Sequence, residues 1–75
     1  MPMLLADIEN GIMCKIERIA DQDVFLKLLD MGCIPGEEVS IIYRAPLGDP
    51  IAIKVSGYTL SVRLDEARKI EVKKV

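Results

Sequence analysis

Sulfur and carboxylate side chains are the groups in this chain most able to bind a metal ion. Cys33 lies close in sequence to three acidic residues, Asp30, Glu37 and Glu38. Thiolates bind transition metals, and carboxylate oxygens bind hard divalent cations. These four residues are therefore candidate ligands for a divalent metal ion. The alternative is a solvated acidic rim, and no other cofactor is predicted.

The two cysteines match neither a metal-binding motif nor a disulfide framework. Cys14 and Cys33 are far apart rather than in C-x-x-C spacing, and each has apolar neighbours. Small secreted domains that depend on disulfides usually carry four or more cysteines. We therefore expect two buried thiols that act as small hydrophobic side chains, in a protein of a reducing compartment.

Groups for acid–base or nucleophilic catalysis are missing from the sequence. There is no His, the side chain that most often serves as a general base near neutral pH. The serines have no plausible base to activate them, and no G-x-x-x-x-G-K-[ST] loop is present to bind a nucleotide phosphate. We expect a protein that is not an enzyme and does not itself bind GTP.

The charge pattern argues against nucleic acid as a partner. The net charge is −2 and the sequence pI is about 5.0, whereas phosphate contacts require a basic surface. Glu71 interrupts the basic C-terminal cluster, which consists of Arg68, Lys69, Lys73 and Lys74. Strand alternation places Tyr43 and Tyr58 on inward faces, where they could not stack on bases. No nucleic-acid partner is predicted.

Short alternating segments separated by Gly and Pro predict about five strands. The first covers 11–19, where Ile12, Cys14 and Ile16 alternate. Ile19 falls out of phase, which indicates a bulge near Arg18. The later strands are predicted from alternating apolar residues over 39–44, 51–55, 58–64 and 70–72.

One segment, near 23–31, has the periodicity of an α-helix. Asp21 or Asp23 can cap its start, and Gly32 suits a left-handed C-terminal cap. Its apolar stripe is expected to consist of Val24, Phe25, Leu28 and Leu29. A further helical turn is predicted near 65–68.

The turns and the size of the chain favour a mainly β architecture. Pro35-Gly36 suits a type II turn, and Ser56-Gly57 makes another tight turn. The 75 residues form one domain, 1–75, in which nearly every apolar residue is needed for the core. We expect a small, strongly bent barrel, closed so that no strand edge is exposed, with the helix over one open end.

Two apolar residues occupy positions where a binding protein could present an anchor. Met31 leads out of the predicted helix, and Leu47 lies in the Pro/Gly loop of residues 45–50. Apolar loop residues can contact a partner, although in so small a domain they can also pack beneath their own turns. Met31 and Leu47 are therefore the candidate partner-binding residues.

Several motifs, in order along nearly the whole chain, resemble those of the FeoA family. The run LLDMGCIPG at 28–36 resembles its L-x-x-(L/M)-G-x-x-P-G signature, and RAPLGDP at 44–50 resembles its R-x-P-x-G-D-P loop. The opening Leu5-Ala6-Asp7-Ile8 with Gly11 fits the usual start of the family. Residues 57–72 are similar to its C-terminal G-Y…L-x-L-R-x-x-E-A…I-x-V pattern, with Val62 in place of a frequent Leu.

This resemblance implies a single SH3-like domain with an accessory role in ferrous iron transport. The expected partner is the cytosolic part of a FeoB-type membrane iron transporter, whose uptake or GTPase cycle the domain would modulate. The alternative is a metal-binding SH3-like domain that senses or carries a transition metal, as in metal-dependent repressors, and the resemblance implies Fe²⁺ or another divalent transition metal as that ion.

The expected location is the cytoplasm, with contact to the inner face of the membrane through the transporter. The sequence has neither the features of a secretory signal peptide nor an apolar run of the roughly 18–20 residues that span a bilayer. No direct membrane insertion is predicted. Weak pairing of two copies through an exposed strand edge is left open.

Overall fold

A computed structural model of the chain, which describes residues 2–75, has six strands, two α-helices and one 3-10 turn. The strands are β1 (Met3–Leu4), β2 (Cys14–Ile19), β3 (Glu38–Arg44), β4 (Ile51–Val55), β5 (Tyr58–Val62) and β6 (Ile70–Lys74). The helices are α1 (Gln22–Leu29) and α2 (Leu64–Ala67), and the 3-10 turn covers Leu5–Asp7. The predicted mainly β class is confirmed.

All six strands belong to one antiparallel sheet with the order β1-β6-β2-β3-β4-β5. The order leaves β1 and β5 at the two edges, and no pairing joins them within residues 2–75. The predicted closure of the barrel by strand pairing is therefore wrong. The bent sheet still encloses a core, but β5 keeps a free edge.

The core lies between the concave face of the sheet, α1 and the 3-10 turn. Its buried apolar side chains come from every strand except β1, because alternate residues of each strand point inward. The sixteen members are Leu5, Ile8, Cys14, Ile16, Val24, Leu28, Cys33, Val39, Ile41, Ile51, Ile53, Val55, Val62, Ala67, Ile70 and Val72.

Helix α1 begins near its predicted start but ends earlier than predicted, and its buried face is narrower than the sequence indicates. The Asp21 carboxylate accepts a hydrogen bond from the Val24 amide at 3.0 Å, and Gly32 has a φ of 73° beyond the C-terminus. The last turn stops at Leu29, two residues before the predicted end at 31. Only Val24 and Leu28 are buried, so the placement of Leu29 in the core stripe is wrong.

Two β-bulges change the alternation of the strands. The predicted irregularity near Arg18 is confirmed by a register shift between Ile16 and Arg18 in the pairing with β6. A second shift lies between Ile41 and Tyr43 in the pairing with β4. It turns Tyr43 outward, where 58% of its surface is exposed, so the inward placement of Tyr43 is wrong.

Three strand boundaries also differ from the alternation pattern. The two-residue strand β1 carries too little sequence to show a period, and it raises the strand count from about five to six. Strand β2 begins at Cys14 rather than at 11, and Ile12 is 37% exposed instead of lying in the core. Strand β5 stops at Val62 because Leu64 already belongs to α2, which confirms the predicted helical turn with a slight shift.

Two carboxylates connect the helices electrostatically. The Asp21 carboxylate accepts hydrogen bonds from the Val24 amide and from Lys69, and these contacts lower the pKa of Asp21. Burial raises the pKa of Glu66, but hydrogen bonds from Lys27 and from the Arg63 amide outweigh it, so this pKa is also lowered. The Lys27 Nζ to Glu66 Oε2 distance is 2.6 Å and links α1 to α2.

The lowered pKa values predict a loss of stability in acid. A carboxyl whose pKa is lower in the folded than in the unfolded chain stabilises the fold above its unfolded value, and this stabilisation disappears as the pH falls through the folded value. For Asp21 and Glu66 the ordinary values are 3.8 and 4.5. Urea unfolding should therefore show a free energy that falls as the pH drops below about 4.5.

The matched variants are Asp21→Asn and Glu66→Gln, which keep the side-chain shape but cannot titrate. Each variant should be less stable than the parent at pH 7, and this difference should shrink as the pH is lowered toward about 3. A difference in stability that stays constant over this pH range would show that the two carboxyls do not have lowered pKa values.

Candidate partner-binding surface

Residues 45–50 form a loop that is fixed by its own hydrogen bonds. The Gly48 amide donates to the Ala45 carbonyl at 2.7 Å, and the Ala45 amide donates to the Pro50 carbonyl at 3.1 Å. Gly48 has a φ of 86°, a left-handed conformation that favours glycine. Asp49 Oδ1 accepts a hydrogen bond from the Leu64 amide at 3.0 Å, which ties the loop to the start of α2.

The Arg44 side chain connects the base of this loop to the N-terminal segment. Its Nε donates to Asn10 Oδ1 at 3.0 Å, one terminal nitrogen donates to the Ala6 carbonyl at 3.2 Å, and the other donates to the Ile8 carbonyl. The planar guanidinium group can make such divergent contacts at once. The Arg and Asp of the R-x-P-x-G-D-P motif are therefore structural residues that hold the loop in place.

Leu47 lies at the tip of this fixed loop and makes almost no contact with the rest of the chain. Its exposed fraction is 96%, the largest among the exposed large apolar side chains of the described residues. Leu47 does not pack beneath its own turn, so it contributes little to the stability of the fold. A leucine held in solvent by an ordered loop is suited to insert into an apolar pocket of another protein.

Two further apolar side chains that are exposed come shortly before the loop in sequence. Ile42 is 49% exposed and Tyr43 is 58% exposed, because the bulge in β3 points both side chains away from the core. We call Ile42, Tyr43 and Leu47 the loop-end surface. Ile42 and Tyr43 were not among the predicted binding residues, although the uninterrupted apolar run Ile41-Ile42-Tyr43 was a signal that one of them must face solvent.

A second exposed apolar region surrounds the C-terminus of α1. Leu26 and Leu29, three positions apart on the outward face, are 51% and 45% exposed, and Met31 is 40% exposed. The Tyr58 hydroxyl lies near Gly32. Tyr58 shares its face of β5 with the buried Val62 but is itself 39% exposed, so its predicted inward placement is wrong. We call Leu26, Leu29, Met31 and Tyr58 the helix-end surface.

The two predicted anchors lie on different surfaces. Leu47 lies in the loop that leads into the start of β4. Met31 lies near Tyr58, which is next to the turn at the end of β4. A strand of five residues separates these ends by roughly 13 Å. Met31 and Leu47 are both exposed, as an anchor must be, but they do not form one contact point.

The candidate metal ligands are not brought together. Cys33 is fully buried, Asp30 and Glu38 are exposed, and Glu37 accepts a hydrogen bond from the Ser56 hydroxyl. Within residues 2–75, no three His, Cys, Asp or Glu side chains are grouped so that they could hold a metal ion. Asp30, Cys33, Glu37 and Glu38 therefore do not constitute a preformed site in this conformation.

Both thiols are buried, as the sequence predicts. Burial raises the pKa of Cys33 to about 11, and the nearby Glu37 carboxylate adds to this shift. Burial also raises the pKa of Cys14, although the charge of Lys74 opposes it. Thiols are nucleophiles and metal ligands only when ionised, so neither cysteine is prepared for such chemistry at neutral pH.

The basic residues of the C-terminal segment do not form a uniform positive surface. Arg18 pairs with Glu71 at 2.7 Å and Lys69 with Asp21 at 3.3 Å, so acids neutralise part of this region. Lys15 and Lys73 lie opposite each other on β2 and β6, with Glu38 on the other side of Lys15. Tyr43 and Tyr58 are both exposed, so the expectation that neither could stack on a base is wrong.

A comparison with known protein families identifies the family to which this chain belongs. A model of the FeoA domain matches residues 3–74. The chain belongs to the FeoA family. The family resemblance seen in the sequence is thus confirmed, and both motif segments lie within the matched range.

Relatives connect this family to iron transport. The chain is 35% identical over 71 residues to a protein of Porphyromonas gingivalis described as an Fe(2+) transport protein A/Fe(2+) transporter FeoB fusion protein. That match covers 93% of this chain but only 8% of the relative. The solution structure of iron(II) transport protein A from Clostridium thermocellum is similar with a TM-score of 0.90 and 39% identity, covering 97% of this chain and 46% of that one.

The SH3-like fold is also confirmed by comparison. FeoA of Stenotrophomonas maltophilia, described as a prokaryotic SH3 domain protein and crystallised with zinc, has a TM-score of 0.81 and 24% identity. The match covers 95% of this chain and 89% of that one. Within residues 2–75 of this FeoA-family chain, no helix has the length and apolar character needed to cross a membrane.

The contacts of Arg44 predict that its replacement lowers stability more than replacement of an ordinary surface residue does. Arg44→Ala should lower the free energy of unfolding by about 2 kcal/mol, because hydrogen bonds from a charged group to the N-terminal segment are lost. Arg44→Lys should recover only part of this, since an ammonium group lacks the planar fork. Urea unfolding measures both.

Lys54→Ala is the matched control, because it removes a cationic side chain that is exposed. Its effect on the free energy of unfolding should stay within about 0.5 kcal/mol of the parent. Equal effects of Arg44→Ala and Lys54→Ala would contradict a structural role for Arg44.

The burial of the thiols predicts slow alkylation. At pH 8 a thiol with a pKa of about 11 is ionised in roughly one molecule per thousand, and the native fold also shields both sulfur atoms. Iodoacetamide should therefore modify Cys14 and Cys33 slowly in the native protein and rapidly in urea. A Leu47→Cys variant supplies an exposed thiol as the internal control, and modification of Cys33 at the same rate as position 47 would refute this prediction.

Proposed function

We propose that this chain is a non-enzymatic accessory protein of ferrous iron transport that binds the cytosolic part of a FeoB-type Fe²⁺ transporter. The observation that carries the proposal is the exposure of Leu47 on a loop that the fold holds rigidly in place. An ordered loop loses little conformational entropy on binding, so most of the free energy of burying the leucine is available for affinity.

The fusion protein of Porphyromonas gingivalis supports the choice of partner. In that relative a FeoA-like segment and a FeoB transporter are parts of one polypeptide. Covalent linkage keeps two modules at a high effective concentration, which favours contact between them. A separate chain must provide the same contact through its own affinity, and the loop-end surface supplies apolar area for it.

The proposed action is modulation of iron uptake or of the transporter's GTPase cycle by binding alone. The chain has no His, and its two cysteines are buried with raised pKa values. Neither feature favours a chemical step within this domain. Because a FeoB-type partner lies in the membrane, the proposed location is the cytoplasm at its inner face.

Sensing or carrying a transition metal remains the second interpretation, with Asp30, Cys33, Glu37 and Glu38 as its candidate ligands. No contact within residues 2–75 favours it over partner binding, since these side chains do not converge. An anaerobic titration with Fe²⁺ under reducing conditions distinguishes the two. NMR shifts centred on Cys33 and Glu37 would favour the metal-binding role.

The proposal predicts that Leu47→Ser weakens binding without weakening the fold. Because 96% of the leucine is exposed in the free protein, the free energy of unfolding should change by less than about 0.5 kcal/mol. Burial of a leucine in a complex contributes roughly 1.5–3 kcal/mol, so the Kd for the transporter's cytosolic domain should rise at least about tenfold. Calorimetry with and without a GTP analogue measures the Kd.

Val75→Ser is the matched control, because Val75 is 73% exposed and lies on neither defined surface. It should bind as the parent does. Met31→Ser tests the helix-end surface separately. If the parent does not bind the cytosolic domain in any nucleotide state, the proposed function is wrong; if only Met31→Ser weakens binding, the contact lies on the helix-end surface.

A further inference from the structure

Strand β5 is an edge of the sheet and has a pairing partner on one side only. It pairs with β4 along its whole length, from Tyr58 opposite Val55 to Val62 opposite Ile51. No described strand lies on its other side. A cleft lined by Lys27, Asp49, Pro50, Ser61 and Arg63 opens beside its C-terminal half. The other edge strand, β1, has only two residues, so β5 is the longer of the two free edges.

The geometry of the hairpin determines which backbone groups of β5 are free. The two-residue turn Ser56-Gly57 has φ values of 46° and 85°, as tight hairpin turns require, and it places Val55 opposite Tyr58. The residues that flank such a turn exchange both backbone hydrogen bonds, and the pattern then repeats at every second residue. Residues 58, 60 and 62 therefore bond to β4.

Thr59 and Ser61 direct their N–H and C=O groups away from the sheet. Neither residue makes another backbone hydrogen bond in the described part of the chain, and both side chains are exposed. Natural edge strands are commonly protected by charged residues, proline or a bulge. The segment Tyr58–Val62 contains no charge and no proline, and its pairing with β4 has no register shift.

We propose that two copies of this chain associate by antiparallel pairing of their β5 strands about a two-fold axis at Leu60. In this register Thr59 of each copy faces Ser61 of the other. Both such pairs exchange two backbone hydrogen bonds, so all four free groups of each strand are used. The axis passes through the non-hydrogen-bonded pair of Leu60 residues. The proposal does not rest on binding to a transporter.

The side chains are self-complementary in this register. On the outer face Thr59 lies opposite Ser61, a pair that can form a cross-strand hydrogen bond. On the inner face Tyr58 lies opposite Val62, an aromatic and β-branched pair that is favourable in antiparallel sheets. No charged residue faces a copy of itself across the axis.

Charges at the two ends of the paired strands are also complementary. The register places Arg63 opposite Gly57 of the second copy, beside the Ser56 hydroxyl that donates to Glu37. Arg63 would therefore approach a carboxylate of the second copy, and the two-fold axis repeats this contact at the other end. This complementarity favours a second copy as the occupant of the edge over an arbitrary peptide.

The test combines sedimentation with amide hydrogen exchange of the full chain. A reversible monomer–dimer equilibrium is expected, and exchange at Thr59 and Ser61 should slow about tenfold or more as the dimer becomes the main species. The amides of Tyr58, Leu60 and Val62 already bond to β4, so they should change little. A single monomeric species at every concentration up to the millimolar range would overturn the proposal.

A pair of double variants tests the register. In Thr59→Lys with Ser61→Lys, each introduced lysine faces another lysine of the second copy, so the dimer should weaken about tenfold or more. In Thr59→Lys with Ser61→Glu, each lysine faces a glutamate, and the dimer should be retained. Both positions are exposed, and thermal unfolding verifies that both variants fold.

Two further outcomes would each overturn the proposed pairing of β5 strands. If both variants dimerise equally, the interface does not include this pairing and the proposal fails. If Thr59 and Ser61 become protected only when the cytosolic domain of a transporter is added, the edge binds that partner instead of a second copy, and the proposal is likewise overturned.

Discussion

The contacts of one guanidinium group determine how the candidate binding loop is presented. Arg44 ends β3, donates hydrogen bonds to the segment 6–10, and thereby fixes the point from which the loop departs. The loop then returns through its own hydrogen bonds and attaches to α2 through Asp49. Without these attachments Leu47 would be a leucine in a mobile loop, and ordering it on binding would cost conformational entropy.

The apolar side chains of the molecule fall into a buried set and an exposed set. Among the described residues, sixteen apolar side chains form the core and eleven large apolar side chains are exposed. Seven of the exposed side chains lie on the loop-end and helix-end surfaces, and the other four lie elsewhere. This chain of the FeoA family therefore exposes many apolar side chains that its own core does not use.

The sequence alone was enough to predict those features that depend on residues within one turn or cap. Asp21 at the start of α1, Gly32 after its end, and the Ser56-Gly57 turn follow from backbone chemistry that operates within a few residues. The exposures of Tyr43 and Leu29 could not be predicted in this way, because the bulge in β3 and the orientation of α1 depend on distant strands. The partners of Arg44 are likewise more than thirty positions away.

The separation of the loop scaffold from its tip has an evolutionary consequence. Since Leu47 barely contacts its own protein, its replacement escapes selection for folding and is subject to selection only through what the loop touches. The scaffold around it, Arg44, Gly48 and Asp49, is constrained by folding itself. The side chain at the tip can therefore change without loss of stability, whereas a change in the scaffold around it would weaken the domain.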